Sequence, residues 1–234
     1  MVEVTIESRL PGLTVALVEA EGVRIEAAGA ELRELCDRAA QAAARDGLAG
    51  GDTRRQAIRS LLRSGGFKPS GRNKPAQEYL LRTAAEEGTL PSISNAVDLI
   101  NMVSLQSGLP VSLVSLDRVG IQLSLRVGTP GEKFVFNRAG QELDVEGLLC
   151  ICAVTTGGSE PVGTPVKDSM RAKVTEDDRR LLACIYASQN AISQAELSRW
   201  AEELGAGFQR FCGAYLVGVA IRTAGQSTKL VLGD

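Results

Sequence analysis

The stretch LPSISNAVDLINMVSLQSGLPVSLVSLD, residues 90–117, combines two patterns that together indicate how the chain folds. After the turn at Pro91, the segment from about Asn95 to Gln106 is predicted to form a short helix. From Leu109 onward, apolar and polar residues alternate, which predicts strands with one buried face. A helix that leads directly into a strand is typical of a domain in which helices cover a sheet.

From Leu109 onward, the sequence predicts a series of short strands, separated by Gly and Pro. Residues 155–173 contain few apolar residues and many turn formers, so we expect a loop there. Ser193 and Glu196 form a capping box that begins a helix with apolar residues at helical spacing. The predicted strands are VSLVSL, GIQLSLRV, KFVF, GLLCICAV, LLACIYA (181–187) and the final YLVGVAIR.

The sequence before residue 90 predicts strands followed by helices. Residues 1–28 alternate in the manner of two or three short strands, and residues 30–45 place apolar side chains on one helical stripe. Asp52 is predicted to cap a second helix. The segment from Phe67 to Lys74 is rich in Gly, Pro, Ser and Lys and is predicted to be a loop, and Pro75 suits the first turn of a third helix.

These elements predict an α+β fold of packed, largely antiparallel sheets with flanking helices. We expect three segments. Residues 1–66 would supply N-terminal strands and two helices that dock on the main unit, residues 67–190 would form that unit, and residues 191–234 would complete the fold with a helix and a strand.

The composition excludes several classes of chemistry. The chain has no histidine, which excludes a Ser–His–Asp or Cys–His relay and a His-ligated zinc. Its five cysteines are scattered and suit reduced thiols, with Cys150 and Cys152 in the core of a strand. We expect no metal, no cofactor, no signal peptide and no membrane span, because no apolar stretch approaches eighteen residues. Together these features predict a cytoplasmic protein.

Basic residues are concentrated in one window. Between Thr53 and Pro75 there are seven and no acidic residue, while the rest of the chain carries 19 basic and 28 acidic side chains. Such a window could attract a polyanion such as tRNA, or it could simply be a solvated helix face and loop. The seven residues are Arg54, Arg55, Arg59, Arg63, Lys68, Arg72 and Lys74.

The stretch 90–117 also resembles a signature of the phenylalanyl-tRNA synthetase beta chain. That family shows a proline, an Asn-x-Val-Asp-x-x-Asn-x-Val run and then Leu-Gly-x-Pro. Residues 174–187, VTEDDRRLLACIYA, resemble a second family motif, and residues 73–82, NKPAQEYLLR, are similar to the opening helix of stand-alone relatives. The resemblance covers about residues 67–190. The positions that match the first motif are Pro91, Asn95, Val97, Asp98, Asn101, Val103, Gly108 and Pro110.

The resemblance implies that residues 67–190 form an editing-like domain. In the synthetase this domain receives the tRNA 3′ end and hydrolyses the ester of a wrongly attached amino acid, which is tyrosine in the parent enzyme. The chain would then be a free-standing aminoacyl-tRNA deacylase that edits in trans. The alternative is a non-catalytic module that binds tRNA, a free amino acid or a similar small ligand.

The resemblance also implies four substrate-binding residues. Asn95 matches the asparagine that lines the family's amino-acid pocket, and Ser94 stands where the family often has a small polar residue. Ser112 replaces the family's histidine, and Cys184 replaces the glutamate that reads the tyrosine hydroxyl. Because that acceptor is lost, a smaller or more apolar amino acid fits better than tyrosine.

Two questions stay open at the level of sequence. Asn95, Asp98 and Asn101 could simply cap and brace a helix instead of binding a ligand. No acidic residue can be chosen as a general base without geometry. The candidates near the relevant loops are Glu132, Glu142, Asp144, Glu160 and Glu176.

Overall fold

A computed structural model describes residues 1–7, 10 and 12–229 and arranges them in three layers: helices, a four-stranded sheet and a five-stranded sheet. The helices are α1 (Ala30–Asp46), α2 (Gly51–Arg63), α3 (Ala76–Glu87), α4 (Asn95–Ser107), α5 (Leu116–Val119) and α6 (Gln194–Cys212). The strands are β1 (Glu3–Ile6), β2 (Leu13–Glu21), β3 (Val111–Ser115), β4 (Gln122–Val127), β5 (Lys133–Val135), β6 (Glu142–Asp144), β7 (Leu149–Thr155), β8 (Gly158–Gly163), β9 (Arg180–Ser188), β10 (Leu216–Thr223) and β11 (Ser227–Lys229). The predicted α+β class is confirmed.

The four-stranded sheet forms the middle layer and is antiparallel throughout, in the order β10-β2-β9-β3. Both of its faces are covered, which explains why β2 and β9 are buried along almost their whole length. Alternate residues therefore face different cores. Ile185 of β9 faces the helices, whereas Cys184 and Tyr186 face the other sheet.

The five-stranded sheet has the order β11-β1-β4-β7-β8, and only the β1–β4 pair is parallel. Its inner face packs against the middle sheet. Cys150 and Cys152 of β7 lie in this core as free thiols and are fully buried. The strands β5 and β6 form a separate hairpin.

The helical layer consists mainly of α1, α3, α4 and α6. The hydroxyl of Ser193 accepts a hydrogen bond from the Glu196 amide and so caps α6, as the capping box predicts. The predicted cap of α2 is wrong. Gly50, in a left-handed conformation, occupies the N-cap position, and Asp52 lies in the first turn, where it pairs with Arg55.

Three strands and one short α-helix were not expected from the sequence. The predicted loop 155–173 contains β8, and β6, β11 and α5 were also missed. The strand β8 lies at the edge of its sheet and pairs only with β7 among the described strands. Backbone pairing holds such a strand without the alternating apolar pattern on which prediction depends.

The three predicted segments share one sheet, because β2 lies between β9 and β10. The boundaries at 66/67 and 190/191 stay predictions, and the last five residues of the segment 191–234 lie outside the described residues. Within the described part of the chain, no helix is both long and apolar enough to cross a membrane.

Candidate functional site

A groove opens beside the edge strand β3, between α3 and α4, the β5–β6 hairpin and the loop after β8. It has two parts, which we call the inner chamber (about 300 Å³) and the outer chamber (about 720 Å³). The two chambers are continuous, since five residues line both. These residues are Ala76, Asn101, Phe136, Val166 and Lys167.

The walls of the inner chamber are largely aliphatic. Val97 and Ile100 project from α4 one turn apart, and Val111 and Leu113 alternate along the facing side of β3. Ile93 stands at this chamber with 64% of its surface exposed. The chamber therefore offers an apolar surface that no side chain of the described residues fills.

Asp168 is the one carboxyl group that lines the inner chamber. Its Oδ2 accepts a hydrogen bond from the Leu113 amide at 3.1 Å, while Oδ1 is buried and has no hydrogen-bond partner among the described residues. Burial raises the pKa of Asp168 to about 6, although the Leu113 amide and the nearby Ser112 hydroxyl favour the carboxylate. A β-carbon on Gly163 would lie 2.8 Å from Oδ1, so only glycine leaves room for this carboxyl. A pocket carboxyl whose pKa is shifted toward neutrality is a functional-site candidate.

Thr164 organises the loop that carries Asp168. Its Oγ1 accepts hydrogen bonds from the amides of Val166 and Lys167, at 3.1 and 3.0 Å, and lies 2.8 Å from the Lys167 carbonyl oxygen. The Ser112 hydroxyl donates to the Thr164 carbonyl at 2.9 Å, so the Tyr186 hydroxyl, 2.9 Å from Ser112, donates to Ser112 in turn. The hydroxyl groups of Tyr186 and Ser112, which we call the relay, thus connect the loop to the core between the two sheets.

The outer chamber combines cations with aromatic rings. The Lys167 ammonium group lies 4.0 Å from the centre of the Phe136 ring, and Lys167 donates to the Arg72 carbonyl at 3.3 Å. Burial and the neighbouring Arg72 lower the pKa of Lys167. Tyr79 and Asn73 complete this side of the chamber. Such a surface suits an anionic ligand with a flat ring, such as a nucleotide.

Two of the four residues expected to bind substrate lie together. Ser112 and Cys184 are opposite each other in the β3–β9 ladder, and both are fully buried in the core between the sheets. Burial raises the pKa of the Cys184 thiol well above its usual value, so the thiol stays protonated. Ser112 touches the groove only through the loop that it holds.

The other two residues, Ser94 and Asn95, lie on the opposite side of the middle sheet, at the start of α4. The Ser94 hydroxyl accepts a hydrogen bond from the Val97 amide and caps the helix. The Asn95 amide nitrogen donates to the carbonyls of Arg24 and Phe211, at 2.8 and 3.0 Å. Its oxygen accepts from two backbone amides, at 3.2 and 2.8 Å. The four side chains therefore do not meet in one cavity, and their substrate-binding roles stay predictions.

The other two polar residues of the helix motif, Asp98 and Asn101, have different surroundings: one braces the helix and the other lines the groove. Asp98 is fully buried, pairs with Arg33 at 3.0 Å and accepts a hydrogen bond from the Ile93 amide. Asn101 instead lines both chambers, and its amide has no hydrogen-bond partner within the described part of the chain. The bracing alternative thus describes Asp98, and Asn101 is the residue of this motif that is open to a ligand.

The basic window is less available to a polyanion than its charge suggests, because acids from distant segments neutralise part of it. Arg54 is 6% exposed and pairs with Glu196 at 3.0 Å. Arg59 binds Glu78 through two contacts, the longer at 2.7 Å. Counting charges along the sequence could not reveal these partners.

The other five residues of the window are placed differently. Arg55 pairs with the exposed Asp52 at 2.8 Å. Arg63, Lys68, Arg72 and Lys74 form no ion pair with any described residue, and Arg72 lines the outer chamber. The basic surface that meets the groove is therefore Arg72 together with Lys167, a residue outside the window.

The acidic candidates named from the sequence are mostly engaged in ion pairs. Glu132 holds Arg126 at 2.6 Å, and the hydrogen bonds from Arg126 lower the pKa of Glu132 to about 2. Glu142 pairs with Lys133 at 2.8 Å at the outer chamber. Asp168 and Lys167 were missed, because they stand in a segment whose composition indicates only a loop. Loops held by a rigid scaffold often carry function, which was the one available signal.

A protein-family model described as the B3/4 domain matches residues 67–227. The match includes α3, α4, the β5–β6 hairpin and the loop that carries Asp168, which together surround the groove. Comparison with curated proteins gave no match.

Proposed function

This chain belongs to the B3/4 domain family of the phenylalanyl-tRNA synthetase beta chain, and from this membership we propose that it hydrolyses mischarged aminoacyl-tRNA in trans. The observation that carries the proposal is the two-chamber groove, because the helix and strand of the family signature form its inner wall. The end of an aminoacyl-tRNA has an amino-acid part, which suits the inner chamber, and a nucleotide part, which suits the outer chamber.

The outer chamber would receive the terminal nucleotide of the tRNA 3′ end. Arg72 and Lys167 supply positive charge, and Tyr79 and Phe136 supply rings against which a base can stack. The aminoacyl group would then enter the inner chamber past Asn101, whose free amide can donate to the ester carbonyl or to the ribose.

The reaction itself demands little from side chains, since an aminoacyl ester is already activated. Water attacks the carbonyl carbon, the bond to the ribose oxygen breaks, and a proton from the water reaches the leaving hydroxyl. The protein must position the water and exclude bulk solvent. The substrate's vicinal hydroxyl or free amine can assist, so the absence of histidine does not oppose the proposal.

Deacylation of a panel of aminoacyl-tRNAs by the purified protein tests the proposal, with turnover beyond one equivalent as the criterion. Asn101→Ala should lower the rate about tenfold or more without changing stability, because its amide has no internal partner. Asn95→Ala is the matched control. It removes four hydrogen bonds inside the fold and should destabilise the protein instead.

The second candidate is a binding module without turnover, which would hold tRNA or a free amino acid in the same groove. The observation that favours it is the engagement of Glu132 and Glu142 in ion pairs, away from any catalytic task. Saturable binding of aminoacyl-tRNA without deacylation of any panel member would select this alternative.

A further inference from the structure

Most of the uncharged residues that line the inner chamber are aliphatic. Its wall is formed by branched aliphatic side chains from α4, β3 and the segment after residue 165, and its volume of about 300 Å³ suits a side chain of a few carbon atoms. Asn101 and Thr164 are the uncharged polar residues of its lining, and the Thr164 hydroxyl is already bonded within its own loop. A ligand group that packs on the aliphatic side chains must therefore be apolar.

Asp168 interrupts this aliphatic wall, and one of its two carboxyl oxygens, Oδ1, accepts no hydrogen bond from the described residues. A carboxylate can accept about four hydrogen bonds. The Leu113 amide donates to Oδ2 at 3.1 Å, the nearby Ser112 hydroxyl and Thr164 amide also favour the charged form, and Oδ1 has no hydrogen-bond partner among the described residues. A partly buried carboxylate with so few partners is costly unless a cation or another donor completes it. A small positively charged donor in the chamber would supply such a partner.

Two lysines also line the groove, and the charge of Lys173, which lines the inner chamber, acts to lower the pKa of Asp168. Lys167 lies over the Phe136 ring and donates to Arg72, and Lys173 donates to the Phe136 carbonyl at 3.4 Å. Lys167 lines both chambers. Positive charge therefore lines both chambers, and Asp168 is the one carboxyl group that lines the inner chamber. This carboxyl group suits the ammonium group of an amino acid, whose carboxyl end would then point to the nucleotide in the outer chamber.

We propose that the inner chamber selects aliphatic aminoacyl groups, with the α-ammonium on the Asp168 carboxylate and the side chain against the aliphatic wall. The inference rests on the proposed function and adds the substrate class and a specificity-determining residue. A tyrosyl group in the same pose would bury its hydroxyl against Val and Ile side chains without an acceptor. We expect that loss to weaken binding by about tenfold or more.

Stable amide-linked 3′-aminoacylamino-adenosines test this by calorimetry with the full chain. The leucyl compound should bind at least about tenfold more tightly than its N-acetyl form, which lacks the charge, and than the tyrosyl compound. Asp168→Asn should remove the preference for the free amine over the N-acetyl form. Asp144→Asn, which changes a carboxyl group of β6 outside both chambers, should retain that preference.

A second variant, Val97→Phe, fills the chamber and should exclude the leucyl compound while the alanyl compound still binds. Equal affinity for the free and acetylated leucyl compounds, a preference for tyrosyl, or failure of every compound to bind would overturn the inference. Failure of the proposed function gives a different result. Selective leucyl binding without deacylation would support the aliphatic substrate class and refute hydrolysis. Turnover that prefers tyrosyl-tRNA would support hydrolysis and refute the aliphatic substrate class.

Discussion

Ser112 and Tyr186 should be energetically coupled, and their coupling should reach the groove. The Tyr186 hydroxyl donates to Ser112, which donates to the Thr164 carbonyl, and all three residues are at most 2% exposed. Ser112→Ala leaves both the Tyr186 hydroxyl and the Thr164 carbonyl without a partner. At about 1–3 kcal/mol for each buried unsatisfied group, relaxation included, we expect a loss of about 2–4 kcal/mol in the free energy of unfolding.

Tyr186→Phe removes only a donor, and the Ser112 hydroxyl keeps its bond to the carbonyl, so the expected loss is about 1 kcal/mol. The double variant no longer buries a phenol without a partner and should lose roughly 1–2 kcal/mol less than the sum of the single variants. Urea unfolding of the four proteins at one pH measures this coupling. Strictly additive losses would show that the relay does not exist in solution.

The same variants test whether the relay positions the loop that carries Asp168. Ser112→Ala removes the bond to the Thr164 carbonyl and should weaken binding of the leucyl compound, whereas Tyr186→Phe keeps that bond and should weaken binding less. Ser104→Ala is the matched control, since Ser104 is equally buried and donates to the Leu109 carbonyl at 2.7 Å, away from that loop. It should reduce stability and leave binding unchanged. Wild-type binding by Ser112→Ala would show that the relay does not position this loop.

Three further outcomes are expected. Arg72→Glu should weaken the binding of all tRNA sequences and reduce the salt dependence of binding, because Arg72 lines the outer chamber. Arg59→Glu should chiefly destabilise the fold, because it places a second carboxylate against the buried Glu78. Equal effects of the two variants on tRNA binding would contradict the position of Arg72 at the groove. The raised pKa of Asp168 means that the native state binds a proton that the unfolded state releases between about pH 4 and 6, so stability falls as pH rises through that window. Asp168→Asn should therefore gain up to about 3 kcal/mol at pH 7 and nothing below pH 4 in urea titrations, and identical profiles would refute the shift. Gly163→Ala should displace the Asp168 carboxyl and weaken binding of the leucyl compound about tenfold, whereas unchanged affinity would show that the loop adapts freely.

The helix and strand order followed from local patterns, because periodicity and capping act within a few residues. Ser193 caps α6 and α4 begins at Asn95, both as the sequence predicts. The strand β8 was not predicted, because backbone pairing with β7 holds it and its side chains lack the alternating apolar pattern of a strand.

The sequence by itself determined the fold class and the family of this protein, because both depend on the spacing of apolar residues and on the order of motifs along the chain. Only the tertiary structure decided which polar residues remain available to a ligand. Asn95 and Arg54 form hydrogen bonds with residues 71 and 142 positions away, whereas Asp168 lines the groove and its Oδ1 has no hydrogen-bond partner among the described residues. Hydrogen bonding and burial depend on three-dimensional neighbours, so a residue's type and its place in a motif do not reveal whether its polar atoms are already satisfied.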